Sequence, residues 1–243
     1  WVKVRAATFN IHHAAGPDDV LDLAHTAKVL TSMHADIIGL QEVDRHWSER
    51  SDFADQAREL GERLDMHAVY GANLDLDPAE PGQERRQYGT AILSRFPLTS
   101  WSNTHLPRFG DHEQRGLLVA TTKIRGVQVR FATTHLQHND NLEREAQAAA
   151  IVDLLGDDPR RTMLVGDLNA VPGTPEIGTL TEVYDDAWAE VGVGDGFTIP
   201  VDTPNRRIDY VLGSPDITFD RAEVVATDAS DHLPLFVDLF VRG

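Results

Sequence analysis

The sequence predicts an α/β fold in which two β-sheets pack face to face with helices on their outer sides. Three observations carry that reading. Short apolar stretches, some alternating and some continuous, recur along the chain as strands do. They come in sequential runs, interrupted by only a few segments of helical periodicity, which argues against a doubly wound parallel sheet. The chain has 243 residues, 41% hydrophobic and 25% charged, enough to bury a sizeable core and close to the length where a single core stops growing. It carries no linker, repeat or low-complexity tract, so residues 1–243 are expected to form one domain.

Each element has its own signal. Val2–Ile11 alternates and then turns apolar, as a strand entering a core does. Asp18 and Asp19 precede Val20, Leu21, Leu23, Ala24, Ala27 and Leu30, an amphipathic helix with acids in its first turn. Ile37–Val43 reads as a buried strand and Phe53–Leu64 as a second helix. Asp75–Gln87, with Pro78, Pro81, Gly82 and mixed charge, reads as a loop. Tyr88–Leu93, Leu117–Ile124 and Val127–Thr134 are strands, the last two joined at Arg125-Gly126 as a hairpin. Leu142–Leu155, with an alanine-rich middle, is the strongest helix, and Thr162–Val165 a short buried strand. Ile208–Leu212, Ile217–Val225 and Leu235–Val241 complete the set as strands.

Charge narrows the partners. Lys plus Arg is 22 and Asp plus Glu 39, a net charge of −17, and residues 157–243 hold 17 acidic against 6 basic side chains. Such a surface repels polyanions, so nucleic acid is a disfavoured partner. No window of the sequence is apolar for long enough to span a bilayer. With no cysteine there is no disulfide, no thiolate nucleophile and no Cys-ligated zinc, so any metal must be held by Asp, Glu, Asn and His. The chain opens at Trp1 without an initiator Met, which fits a processed, secreted form; zero cysteine suits a cytoplasmic one equally.

Polar groups stand where the apolar strands end. Asn10 follows Ala6-Ala7-Thr8-Phe9, Glu42 follows Ile37–Gln41, and His135 ends Val129–Thr134. Asp167 and Asn169 follow Met163–Gly166, Asp209 lies within Arg207–Val211, and Asp231-His232 precedes Leu233-Pro234-Leu235. One Asp or Asn at a strand end is ordinarily a cap or turn former. Six such segments, all costly to bury unless paired or bound to metal, amount instead to a hydrolytic metal site. Hard oxygen ligands without Cys favour Mg²⁺ or Mn²⁺, and a metal-neutralised phosphate beside an oriented water and imidazoles makes phosphoester hydrolysis the natural reaction. The nucleophile elbow, the P-loop and the His-Glu-x-x-His helix are all missing; His112-Glu113-Gln114-Arg115-Gly116 starts like the last but has Gly116 where the second ligand belongs.

The ordered set Thr8-Phe9-Asn10-Ile11, Gln41-Glu42-Val43, Thr134-His135-Leu136, Gly166-Asp167-Leu168-Asn169, Arg207-Ile208-Asp209-Tyr210 and Ser230-Asp231-His232-Leu233-Pro234 resembles the endonuclease/exonuclease/phosphatase superfamily. The resemblance runs from residue 8 to residue 234. It implies a four-layer α-β-β-α sandwich of two mixed sheets, flanked by helices. Carried over by motif, Glu42 is the main metal carboxylate with Asn10 beside it and Asp231 near the metal. Asp167 positions or deprotonates the attacking water, and Asn169 holds the phosphate or orients Asp167. His232 stabilises the phosphorane or shuttles the proton, oriented by Asp209, and His135 faces the phosphate from the opposite side. Arg115 is a candidate phosphate clamp, against the alternative of a surface ion pair, and Tyr88 a candidate pocket wall, against that of an interior strand tyrosine.

One departure separates this chain from pancreatic-type nucleases, which place a Glu beside the partner of the first catalytic His; here Arg85-Arg86-Gln87 precede Tyr88, so His135 is expected to lack a carboxylate. Arg45, His46 and Arg50, with Trp47, are read either as a recognition surface for a second anionic group or as a solvated loop. His12 and His13 are read as turn residues more than as ligands. The expected protein is a monomeric Mg²⁺- or Mn²⁺-dependent hydrolase of a small or lipid-linked phosphodiester or phosphomonoester. Two alternatives stand beside it: an endonuclease or exonuclease on DNA or RNA, if Arg85, Arg86, Arg95 and Arg108 form a basic strip along the cleft, and a catalytically silent binding module on the same scaffold.

Overall fold

The computed structural model describes residues Trp1–Gly243. One six-stranded sheet runs, in order across it, β11 (Ile217–Val224), β12 (Leu235–Val241), β1 (Val2–Asn10), β2 (Ile37–Arg45), β4 (Arg86–Ser94) and β3 (His67–Leu76). The second runs β5 (Leu98–His105), β6 (Gly116–Ile124), β7 (Val127–His135), β8 (Thr162–Asp167), β10 (Asp209–Gly213) and the two-residue β9 (Asp185–Asp186). Both sheets are mixed: β1–β2 and β7–β8 pair in parallel and the remaining neighbours antiparallel. Five α-helices accompany them: α1 (Leu23–Ser32), α2 (Gln56–Leu64), α3 (Asn141–Leu155), α4 (Pro175–Thr181) and α5 (Ala187–Val191). None is long and apolar enough to cross a membrane.

The two-residue period of a strand sorts its side chains into layers. Val4 and Ala6 of β1 and Ile37 of β2 face Leu118, Val129, Phe131, Met163 and Val165 of the other sheet, forming the central core. Their chain neighbours Ala7, Phe9, Ile38 and Leu40 point the opposite way, onto Ala27, Leu30, Ala57 and Leu60 of α1 and α2. On the far side Ala132, Leu164 and Leu212 meet Ala148, Ile151, Ile177 and Leu180 of α3 and α4. The result is the α-β-β-α sandwich. Each fully buried Leu, Ile or Phe contributes about 1.5–3 kcal/mol to it.

Strand and helix bounds match the sequence reading closely where packing decides them and depart where it does not. The first helix starts at Leu23 rather than near Asp18, because Asp22 accepts the His25 N–H as its N-cap, leaving Val20 in an exposed loop. The second starts at Gln56, capped by Asp55, rather than at Phe53. Strands β3, β5 and β9 and helices α4 and α5 are additions. The stretch read as a loop over Asp75–Gln87 is the connection of the β3–β4 hairpin, both strands running further into it than expected.

Candidate active site

Strand pairing brings the polar strand ends together. In the parallel pair β1–β2, Asn10 lies opposite Gln41 and so beside Glu42. In β7–β8, His135 lies opposite Asp167, and antiparallel β10 sets Asp209 opposite Asp167 from the other side. The two sheets meet at this edge: the Asn10 amide nitrogen donates to Glu42 Oε1 and to Asp167 Oδ2, both at 3.0 Å. Its oxygen accepts the His12 backbone N–H at 3.1 Å, which sets the orientation of the amide. Beneath this contact Gln41 donates to Thr133 Oγ1 and Thr8 Oγ1, joining the sheets through the core.

Glu42 is aimed by a backbone irregularity. The register of β2 against β4 shifts between Leu40 and Val43, and Glu42 adopts a left-handed conformation there, φ +55°. That conformation costs a non-glycine residue about 1–2 kcal/mol. The bulge takes the carboxylate out of the strand's alternation and leaves it half-buried, reaching Asn10.

Three groups converge on Asp167. Besides Asn10, His135 Nε2 lies 3.3 Å and His232 Nε2 3.6 Å from Oδ2. The other carboxylate oxygen accepts the Asn169 N–H at 2.9 Å, and the Asn169 amide donates to Leu136 O, tying the loops after β7 and β8 together. Burial pushes the Asp167 carboxyl up, to about 7, against the pull of His232. A carboxylate so placed takes a proton near neutral pH.

His232 is held from behind. Its Nδ1 lies 2.9 Å from Asp209 Oδ2, and Ser230 Oγ, which donates to Asn10 O, accepts the His232 backbone N–H. Burial alone would lower the imidazole, but Asp209 and Asp167 on either side hold it up, to about 10. Asp209 Oδ2 also accepts from Thr198 Oγ1 at 2.6 Å, while Oδ1 is buried without a partner. Thr198 is a residue that sequence reasoning missed, because it lies in a loop with no strand pattern to mark it.

His135 is the electrostatic opposite of His232. Arg115 Nη1 lies 3.0 Å from Nδ1, and since a guanidinium only donates, Nδ1 accepts and the proton sits on Nε2, facing Asp167. Burial, reinforced by Arg115, pushes this imidazole well below its usual range, so it is neutral. Arg115 is itself buried and anchored by Glu113 at 2.7 Å, with His138 Nδ1 3.3 Å from Nη2. Tyr88 is half-buried, its ring 5.8 Å from Trp47, and burial, then the nearby Glu42 charge, raise its hydroxyl well above the usual value.

Asp231 makes no contact with Asp167, though its charge helps to raise His232: its carboxylate lies 3.3 Å from Ser230 Oγ and lines a cavity with Pro17, Asp18, Pro200 and Asp202. The recognition surface read at Arg45, His46 and Arg50 does not form as free cations. Arg45 pairs with Asp55, His46 Nδ1 lies 2.9 Å from Phe53 O, and Arg50 makes two bonds to buried Asp44. Arg50 instead lies 5.6 Å from both the Trp47 and Tyr88 ring centres.

Fold and site together define an α/β protein of two packed six-stranded sheets, with its polar groups gathered at one sheet edge. The sequence pattern of the endonuclease/exonuclease/phosphatase family matches residues 7–232, and the chain belongs to that family. It is 28% identical over 137 residues, 55% of this chain, to the cwh43 protein of Schizosaccharomyces pombe, of whose length the match spans 13%. Among solved structures it is similar to an endonuclease/exonuclease/phosphatase from Beutenbergia cavernae, with TM-score 0.80 and 26% identity over 99% of this chain and 72% of that one. A mannosyl-6-phosphatase of Bacteroides thetaiotaomicron shares the fold, with TM-score 0.78 and 19% identity over 98% and 99% of the two chains.

The family implies a divalent cation, and the donor set fits one. Glu42 receives only the Asn10 amide and pairs with no Lys, Arg or His, although it is half-buried and strained into place. Glu42 and Asp167, both receiving the Asn10 amide N–H groups, offer carboxylate oxygens, the donors that hard cations take, while the Asn10 oxygen is turned to the His12 N–H.

Proposed function

We propose that the chain hydrolyses a phosphoester of a small or lipid-linked substrate, with Mg²⁺ or Mn²⁺. The observation that supports it is the convergence on Asp167 Oδ2 of Asn10, His135 and His232, with Glu42 one hydrogen bond further on. Glu42 would hold the cation, with Asn10 beside it; the cation supplies neutralisation of phosphate charge and polarises the phosphoryl group. Asp167, fixed by the Asn169 N–H, takes the proton of the attacking water. His232, charged and held by Asp209, donates to phosphoryl oxygen as negative charge grows there. His135, neutral with its proton on Nε2, adds a second donor from the opposite side.

The nuclease reading needs Arg85, Arg86, Arg95 and Arg108 as a basic strip along the cleft, and of these only Arg108 is exposed with no hydrogen-bond partner for its guanidinium. Arg85 is held by Asp75 and Asp77, Arg86 by the Asp77 carbonyl, and Arg95 by Ala35 O at the other end of β4. A silent binding module has no use for so complete a set. The test is a substrate panel: purified protein with Mn²⁺ against p-nitrophenyl phosphate, bis-p-nitrophenyl phosphate, sphingomyelin and plasmid DNA. Hydrolysis of the small or lipid phosphoesters, lost in excess EDTA and restored by Mg²⁺ or Mn²⁺, is expected. Cleavage of plasmid alone would move the protein to the nucleases, and activity persisting in EDTA would remove the metal.

A further inference from the structure

Directly after β1 the chain makes a turn unlike any other in the molecule. His12, His13 and Ala14 are all left-handed, with φ of 47°, 45° and 61°. In a strand, successive side chains point to opposite faces; here the two imidazoles are brought together, their ring centres 4.5 Å apart. The loop then folds back, with the Gly16 N–H on Val20 O and the Asp19 N–H on Gly16 O, and left-handed Asp19 sets its Oδ1 2.9 Å from His13 Nε2.

His12 is the anomaly. Neither of its ring nitrogens has a hydrogen-bond partner, and Nδ1 is buried. A buried polar atom without a partner calls for an explanation. One ligand atom each from His12, His13 and Asp19 lies within 4.8 Å of the other two. We propose that these three residues form a second cation site, selective for a borderline transition-metal ion such as Zn²⁺, separate from the oxygen donors around Glu42. Two imidazoles and one carboxylate are donors that Zn²⁺ prefers and Mg²⁺ does not. Zinc–ligand distances are about 2.0–2.2 Å, so the donors must draw closer. His13 is buried and fixed, whereas the Asp19 side chain is 73% exposed and His12 half-buried, so the last two can move onto the ion. The arrangement leaves a coordination position for water. Because the His12 N–H is also the group that orients the Asn10 amide, an ion here would stiffen the turn behind that residue.

The experiment reads binding without substrate, so it stands or falls independently of the hydrolase assignment. With the full chain in saturating Mg²⁺, Zn²⁺ is titrated calorimetrically and thermal unfolding is followed with and without Zn²⁺. One Zn²⁺ per chain and a raised melting temperature are expected. His12→Ala, which removes a ring with no hydrogen bonds, and Asp19→Asn, at an exposed position, should each weaken Zn²⁺ by about tenfold or more while melting like wild type in its absence. No uptake of Zn²⁺ by the wild type overturns the proposal, and so does equal uptake by wild type and both variants.

Discussion

Thr198 and His232 share one oxygen of Asp209, and the other oxygen of that carboxylate has no partner. Both hydrogen bonds fall on the same atom, so the bond that steadies it from Thr198 also steadies the imidazole. Asp209→Asn and His232→Ala should each slow hydrolysis ~10²–10⁴-fold, the range for general acid–base or electrostatic donors. The double variant should be hardly slower than His232→Ala, since the carboxylate acts only through the ring. Thr198→Val removes one bond to a charged group, worth about 1.5–3 kcal/mol, and should cost about 10- to 100-fold in kcat with KM nearly unchanged, with Thr198→Ser restoring the rate. Multiplicative losses in the Asp209/His232 pair would mean the two residues work separately. In the sequence Asp209 and His232 are legible because each interrupts or borders an apolar strand. Thr198 is not, because its hydroxyl reaches Asp209 only through the irregular bridge between Ile199 and Arg206.

At the scale of elements, the site depends on how closely β2 and the second sheet approach. Gly39 stands at the contact: a Cβ there would meet Val165 Cγ2 at 2.5 Å and Thr133 Oγ1 at 2.7 Å. Both neighbours are core side chains with nowhere to retreat, so Gly39→Ala should destabilise the fold by about 1–3 kcal/mol, the usual cost of overpacking. It should also lower activity, because Thr133 partners Gln41, the residue next to Glu42. Urea unfolding read beside the rate checks this; a variant as stable as wild type would show that the sheets can separate freely. The same contrast explains which elements are legible. Inner strands such as β2 and β8 are buried on both faces and read as apolar runs. Strand β5 is an edge, exposed along Thr99–Ser102, and Ser100, Ser102, Asn103 and Thr104 leave it no alternation. Strand β3 is the other sheet's edge, with both ends open to water. Helices α4 and α5, seven and five residues long, are too short for a helical period to show.

For the whole molecule, net charge −17 makes pH a lever on stability, and the end of the sandwich opposite the site shows its sign most cleanly. There Asp238 of β12 accepts from Arg5 of β1 at 2.7 and 2.9 Å, with Lys3 3.5 Å away. The Arg5 hydrogen bond is the main cause that holds the Asp238 carboxyl below its usual range, burial opposing it. In the unfolded chain the carboxyl titrates near its ordinary value of about 3.9. Between that value and the lower folded one, the unfolded state binds more protons, so stability rises with pH across the window and is flat above it. The contribution is fully present above about pH 5 and is lost as pH falls through the folded value. Asp238→Asn removes the titrating group and leaves every other one in place, so the difference from wild type isolates it. That difference in unfolding free energy, read from urea midpoints at several pH values, should be constant from about pH 5 to pH 8 and shrink steadily below about pH 4. A gap that stays the same size down to the acid transition would show that Asp238 holds the strands through packing alone, its charge contributing nothing.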